Sequence, residues 1–62
     1  MEQREGTILN TTEKDMTDSI SGTTVKYHNP ASVTIDVNDK VIYIRIVTGN
    51  GQTINIIKEK KV

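Results

Sequence analysis

A chain of 62 residues with no Cys and eight Lys or Arg against eight Asp or Glu is one small domain. On folding it removes only about 60% of its unfolded surface from water. It has neither a disulfide nor a thiolate metal site to draw on, so self-association is the remaining common source of stability. Zero net charge removes the electrostatic case for a general nucleic-acid or anionic-membrane binder, and no apolar run nears the roughly 20 residues that span a bilayer.

The chain opens on Met1-Glu2-Gln3-Arg4-Glu5, without the apolar segment of a secretory signal, which points to the cytoplasm. Residues 1–21 carry only Ile8, Leu9, Met16 and Ile20 among charges, Thr and Asn, and read as a weakly ordered segment or docking arm. Two local structures compete there. Thr12 caps a short helix over Glu13 to Ile20, with Glu13 and Asp15 in its positive first turn and Met16 and Ile20 four apart on one face. Alternatively, Thr7 to Asn10 forms an extra edge strand.

From Gly22 the pattern changes to period two, and residues 22–62 read as an all-β or mainly β domain. The expected architecture is a small antiparallel β-meander of three to four strands, over about 22–28, 32–37, 40–48 and 52–59. Val25 and Tyr27 alternate with Thr24, Lys26 and His28, and Asn29-Pro30 then breaks the strand, because proline fixes φ and has no N–H to donate. If Asn38-Asp39 forms a two-residue hairpin loop, Ile35 faces Ile42 and Val33 faces Ile44. Val33, Ile35, Val37, Ile42, Ile44 and Ile46 then share one face, the expected core. A three-residue loop of Gly49, Asn50 and Gly51, with Gly51 left-handed, adds Ile54 and Ile56 to it and is preferred because it completes one apolar face; a two-residue loop on Asn50-Gly51 would instead set them with Val41, Tyr43, Arg45 and Val47.

The opposite face carries Thr34, Asp36, Val41, Tyr43, Arg45, Val47 and Ile57, too apolar for a freely wet surface. Tyr and Arg concentrate binding energy at interfaces, since each joins a large apolar body to a polar end. The candidate interaction surface is therefore Tyr43, Arg45, Val41, Val47 and Thr34. Ordinary cross-strand packing of Tyr43 over Thr34 is the competing explanation.

No catalytic residue stands out: a nucleophile needs a base in reach, and His28 is the single His. Nor do the acids show a metal-ligand spacing, and no cofactor is implied. Lys58-Glu59-Lys60-Lys61 reads as a solvated end that discourages edge pairing. The first functional reading is a non-catalytic β-module, a homo-oligomeric inhibitor or small regulator that binds a protein partner, of the kind often encoded by bacteria or phages. An alternative is an oligomeric sponge for a small anionic or nucleotide-like ligand, held by Lys26, His28 and Arg45 between protomers and stacked on Tyr43. RNA binding through Lys26, Tyr27, His28, Tyr43 and Arg45 is weaker, because two tyrosines on opposite faces make no joint platform.

Overall fold

The computed structural model describes residues 1–62 and contains five strands and no helix: β1 Glu2–Ile8, β2 Asp15–Asp18, β3 Thr24–Lys26, β4 Lys40–Val47 and β5 Thr53–Lys60. Their order in the single sheet is β3-β2-β1-β4-β5, every pair antiparallel. β1 to β3 form a meander and β4 returns to lie beside β1, which is a Greek key. A parallel bridge then joins His28 to Ile56. In it the His28 N–H donates to the Asn55 carbonyl at 2.8 Å and the Ile57 N–H to the His28 carbonyl at 2.9 Å. This closure brings the end of β3 against β5 and curls the sheet into a half-barrel.

The all-β expectation holds, with five strands rather than three or four. Residues 1–21, read as an arm, supply β1 and β2, and β1 is the central strand. The helix over Glu13 to Ile20 does not form. Asn10 closes the β1–β2 connection instead: its Oδ1 accepts from the backbone N–H groups of Glu13 and Asp15, and its Nδ2 donates to Asp15. Such side-chain bonds compete with helix formation.

The strand over 32–37 is also absent. Asn29 brackets Val33, accepting from its N–H at 3.0 Å and donating to its carbonyl at 2.9 Å, while Ser32 and Asn38 adopt positive φ. The Asp39 carboxylate receives the Asp36 N–H, so residues 36–39 make a turn here and Asn38-Asp39 is not a hairpin tip. More decisively, β4 has both edges occupied, by β1 and by β5. Val33 and Ile35 pack against the core from this connection, and Val37 is exposed.

The last hairpin has the anticipated register, Ile46 opposite Ile54 and Ile44 opposite Ile56. Gly51 sits at φ 85° in the three-residue loop, a conformation that disfavours any residue with a Cβ. Further along, pairing slips so that Ile42 faces Glu59 and Tyr43 faces Ile57, leaving Lys58 as a bulge. Bulges bend strands.

The two faces are the reverse of those expected. The buried core is Ile8, Met16, Tyr27, Val41, Tyr43 and Ile57, all on the concave side, whereas Ile42, Ile44, Ile46, Ile54 and Ile56 lie half-buried on the convex side. Gly6 explains how the sheet turns that way. It is buried between cross-strand partners Val41 and Asp18. A Cβ built there would come within 3.0 Å of Met16 Sδ, 3.1 Å of the Thr17 carbonyl oxygen and 3.4 Å of Tyr43 Cε1. A strand glycine with no side chain on the concave side lets the long Met16 and Tyr43 side chains close over it.

Candidate functional site

Above the His28–Ile56 bridge β3 and β5 diverge, and a cleft of about 390 Å³ opens between them. Its lining includes Val25, Lys26 and His28 from the β3 side, Thr53 and Asn55 from β5, and Tyr43 and Arg45 from β4. Asp18, Ser21 and Thr23, around the β2–β3 turn, complete it. Alternation along each strand places these groups together: Tyr43, Arg45 and Asn55 fall in phase with the core residues Val41 and Ile57.

Tyr43 and Asp18 are the deepest members, 1% and 2% exposed. Arg4 grips the Asp18 carboxylate with two bonds, Nε to Oδ2 at 2.6 Å and Nη2 to Oδ1 at 2.8 Å. The Tyr43 hydroxyl donates to Oδ2, and the backbone N–H groups of Ile20 and Ser21 donate to Oδ1. The guanidinium is the main reason that Asp18 is held far below the usual carboxylate range; burial opposes it, and the Tyr43 hydroxyl and the two N–H groups assist. Burial pushes the Tyr43 phenol up, and its bond to Asp18 adds to this. This network ties β1, β2, β4 and the β2–β3 turn to one carboxylate, so its first role is structural. A buried charge is tolerated when it is paired and its lone pairs are filled.

Arg45 has a different setting. It is partly exposed and makes one side-chain bond, from Nη2 to Glu2 Oε1 at 2.8 Å, while Glu2 also pairs with Arg4. Its cross-strand neighbour Asn55 is only 5% exposed. Asn55 Nδ2 donates to the Lys26 carbonyl at 2.8 Å, which fixes the amide, yet Oδ1 is buried without a hydrogen-bond partner.

Of the anticipated ligand residues, Lys26, His28 and Arg45 do line this one cleft, within a single chain. The Lys26 ammonium, however, is held by Asp15 at 2.8 Å and by the Glu13 carbonyl. Of the anticipated interaction surface, Tyr43 and Val41 are core residues, and Tyr43 is closed to a stacking partner by its burial and its bond to Asp18. Val47 is exposed at the end of β4, and Thr34 is exposed in the 29–39 connection; the structure does not gather the five into a patch. Tyr27 and Tyr43 share the interior rather than facing opposite ways, and the Tyr27 hydroxyl donates to the Asn10 carbonyl. Neither tyrosine presents a face to a base.

Arg4, Asp18 and Asn55 were not singled out from the sequence. A signal exists for the last two: Asp18 lies two residues from Met16 and Asn55 two from Ile57, polar side chains in phase with an apolar strand face.

The convex side offers the other candidate surface. Ile44 lies between Gln3 and Ile56, Ile46 beside Ile54, and Ile42 between Glu5 and Glu59, and no strand of the chain packs across them. Lys58 and Lys61 edge it, reaching Gln3 and Glu5. No group of three or more His, Cys, Asp or Glu is poised to hold a metal ion, and no helix is long and apolar enough to cross a membrane. Compared with family models, curated proteins and solved structures, the chain matches none.

Proposed function

We propose that this chain is a non-catalytic binding module, a cytoplasmic small regulator or inhibitor that works as a homo-oligomer and contacts its partner copy through the convex isoleucine face. The observation that carries this reading is five isoleucines on one side of β4 and β5 with no strand laid over them. The five are half-buried, not dry, and contiguous apolar surface left within reach of water marks contact sites. A second copy suits this face because its rim holds both signs of charge, Glu5 and Glu59 with Lys58 and Lys61. A two-fold axis can set these against each other, and a neutral chain does not repel its copy. The small core also favours it, since only nine of 62 residues are buried. Light scattering after size exclusion tests the proposal: the wild type elutes as a dimer or larger at tens of micromolar, and Ile44→Lys elutes as a folded monomer. A wild type that stays monomeric throughout that range overturns it.

A second reading, a binder of a small polar ligand, is favoured by the convergence of Lys26, His28 and Arg45 on one cleft. A thermal-shift screen with inorganic phosphate and nucleotides tests it, because a ligand at about 100 times its dissociation constant adds roughly 2.7 kcal/mol. RNA binding receives less support, since neither tyrosine is free to stack.

A further inference from the structure

We infer that the β3–β5 cleft recognises a small ring carrying an N–H beside a C=O, as in imides, lactams and the nucleobases uracil and guanine, with Asn55 accepting from the ring N–H and Arg45 donating to the ring carbonyl. The inference rests on the small-ligand reading of the cleft and names the chemistry that the cleft selects.

Three observations support it. Asn55 lines the cleft and is fixed by its bond to the Lys26 carbonyl, while its Oδ1 is a buried acceptor with no partner in the chain. A buried acceptor left unpaired is costly, and a ligand N–H removes that cost. Arg45, its direct cross-strand neighbour, keeps Nε and Nη1 clear of protein acceptors while Nη2 holds Glu2. One acceptor and one donor side by side on a rigid pair of strands form the complement of an adjacent N–H and C=O.

Charge argues against a bare anion as the ligand. Arg4 and Arg45 are matched by Asp18 and Glu2, and the Lys26 ammonium is taken by Asp15. An anion entering the cleft therefore meets charge that is already balanced, whereas a neutral ring needs only the open hydrogen-bonding groups. A cleft of about 390 Å³ falls within the roughly 300–1,000 Å³ of small-molecule sites, and the Ser21, Thr23 and Thr53 hydroxyls around it suit a polar molecule.

The test is a titration of the full chain, followed by the backbone and side-chain amide signals in nuclear magnetic resonance. The probes are uridine, guanosine, N3-methyluridine, uridine monophosphate and inorganic phosphate. Uridine or guanosine is expected to shift the Asn55 side-chain amide with the signals of Arg45 and Thr53, saturably. N3-methyluridine, which lacks the N–H, should bind at least tenfold more weakly than uridine. Arg45→Met should cost at least tenfold in uridine affinity while keeping the wild-type spectrum outside the cleft. Equal affinity for uridine and its N3-methyl derivative overturns the inference. So does binding of phosphate, or of the monophosphate alone, without uridine, although the small-ligand reading survives that result. No saturable shift with any probe overturns both, and leaves the isoleucine face to be judged by its own experiment.

Discussion

The concave and convex sides of this sheet are both apolar, but in different company: inside, the core of Ile8, Met16, Tyr27, Val41, Tyr43 and Ile57 closes around a carboxylate, a guanidinium and an amide, while outside five isoleucines lie half-buried. Each side follows its own rule. Inside, every charge is matched, with Arg4 on Asp18 and Tyr43 and two backbone N–H groups filling the remaining lone pairs. Outside, the isoleucines pair across β4 and β5 and stop at a charged rim. Burial in so small a domain thus depends on curvature, since only the side the sheet closes around can become dry.

The comparison breaks most completely if the buried charge loses its partner. Arg4→Met leaves the Asp18 carboxylate buried and uncompensated, and removing one partner of such a pair costs about 3–5 kcal/mol. At roughly 0.05–0.15 kcal/mol per residue a chain of 62 residues has about 3–9 kcal/mol in all, so a large loss of structure at 25 °C is expected by circular dichroism. Tyr43→Phe is a milder version. It removes one donor to a charged acceptor, worth about 1.5–3 kcal/mol, and a urea melt should show a lower midpoint with unchanged slope.

Solution pH probes the same network. Asp18 is depressed by Arg4, and Asp15 by Lys26, so their contribution is fully present above the unfolded carboxylate range near pH 4. It should fall away progressively as pH drops below that range. The phenols behave in the mirror sense: burial raises Tyr27 and Tyr43. Their neutral forms stabilise the fold below the unfolded phenol value of about 10, and that stabilisation is lost as pH rises past it. A melting-temperature profile with a plateau that ends at both limits is expected; a profile flat to pH 2 would contradict the pairing of Asp18 with Arg4.

Gly6→Ala tests curvature itself. The added methyl meets Met16 Sδ and a backbone oxygen, and overpacking of this kind costs about 1–3 kcal/mol. Met16 can give way but the Thr17 carbonyl is part of the ladder with β1, so the chemical melt should move noticeably. The smallest change in stability belongs to the convex side. Measured at concentrations too low for copies to associate, Ile44→Lys should alter the folding free energy by no more than about 1 kcal/mol, the span of strand propensities on an open face, while at tens of micromolar it changes the state of assembly. A loss as large as that of Arg4→Met would mean that the isoleucines, not the concave side, hold the fold together.

Much of the β4–β5 hairpin was legible in the residues. Alternating Ile44, Ile46, Ile54 and Ile56 favoured its pairing and Gly51 its three-residue loop, because both signals are local, but a two-residue loop on Asn50-Gly51 fitted the same residues and the structure chose between them. The first strands were less legible: β1 reads Glu-Gln-Arg-Glu-Gly-Thr-Ile, and its strand character depends on β4 supplying partners about forty residues away. Val33 to Val37 shows the converse failure. Its alternation is as good as that of a strand, yet the edges it needed are filled by others. For the site, Arg45, Lys26 and His28 were legible as chemistry, but Asn55 and Asp18 were not, since a polar residue on a strand reads as solvent-facing until something closes over it.

Composition and pattern alone determined that this chain is a small β domain with two chemically distinct strand faces, a final hairpin and no charge bias toward nucleic acid. Which face became the interior was decided only by the tertiary structure. Side-chain alternation is symmetric with respect to the plane of a strand, and what removed the symmetry was nonlocal: β1 inserted at the centre, Gly6 clearing the concave side, the Lys58 bulge bending β5, and the His28–Ile56 bridge closing the curl.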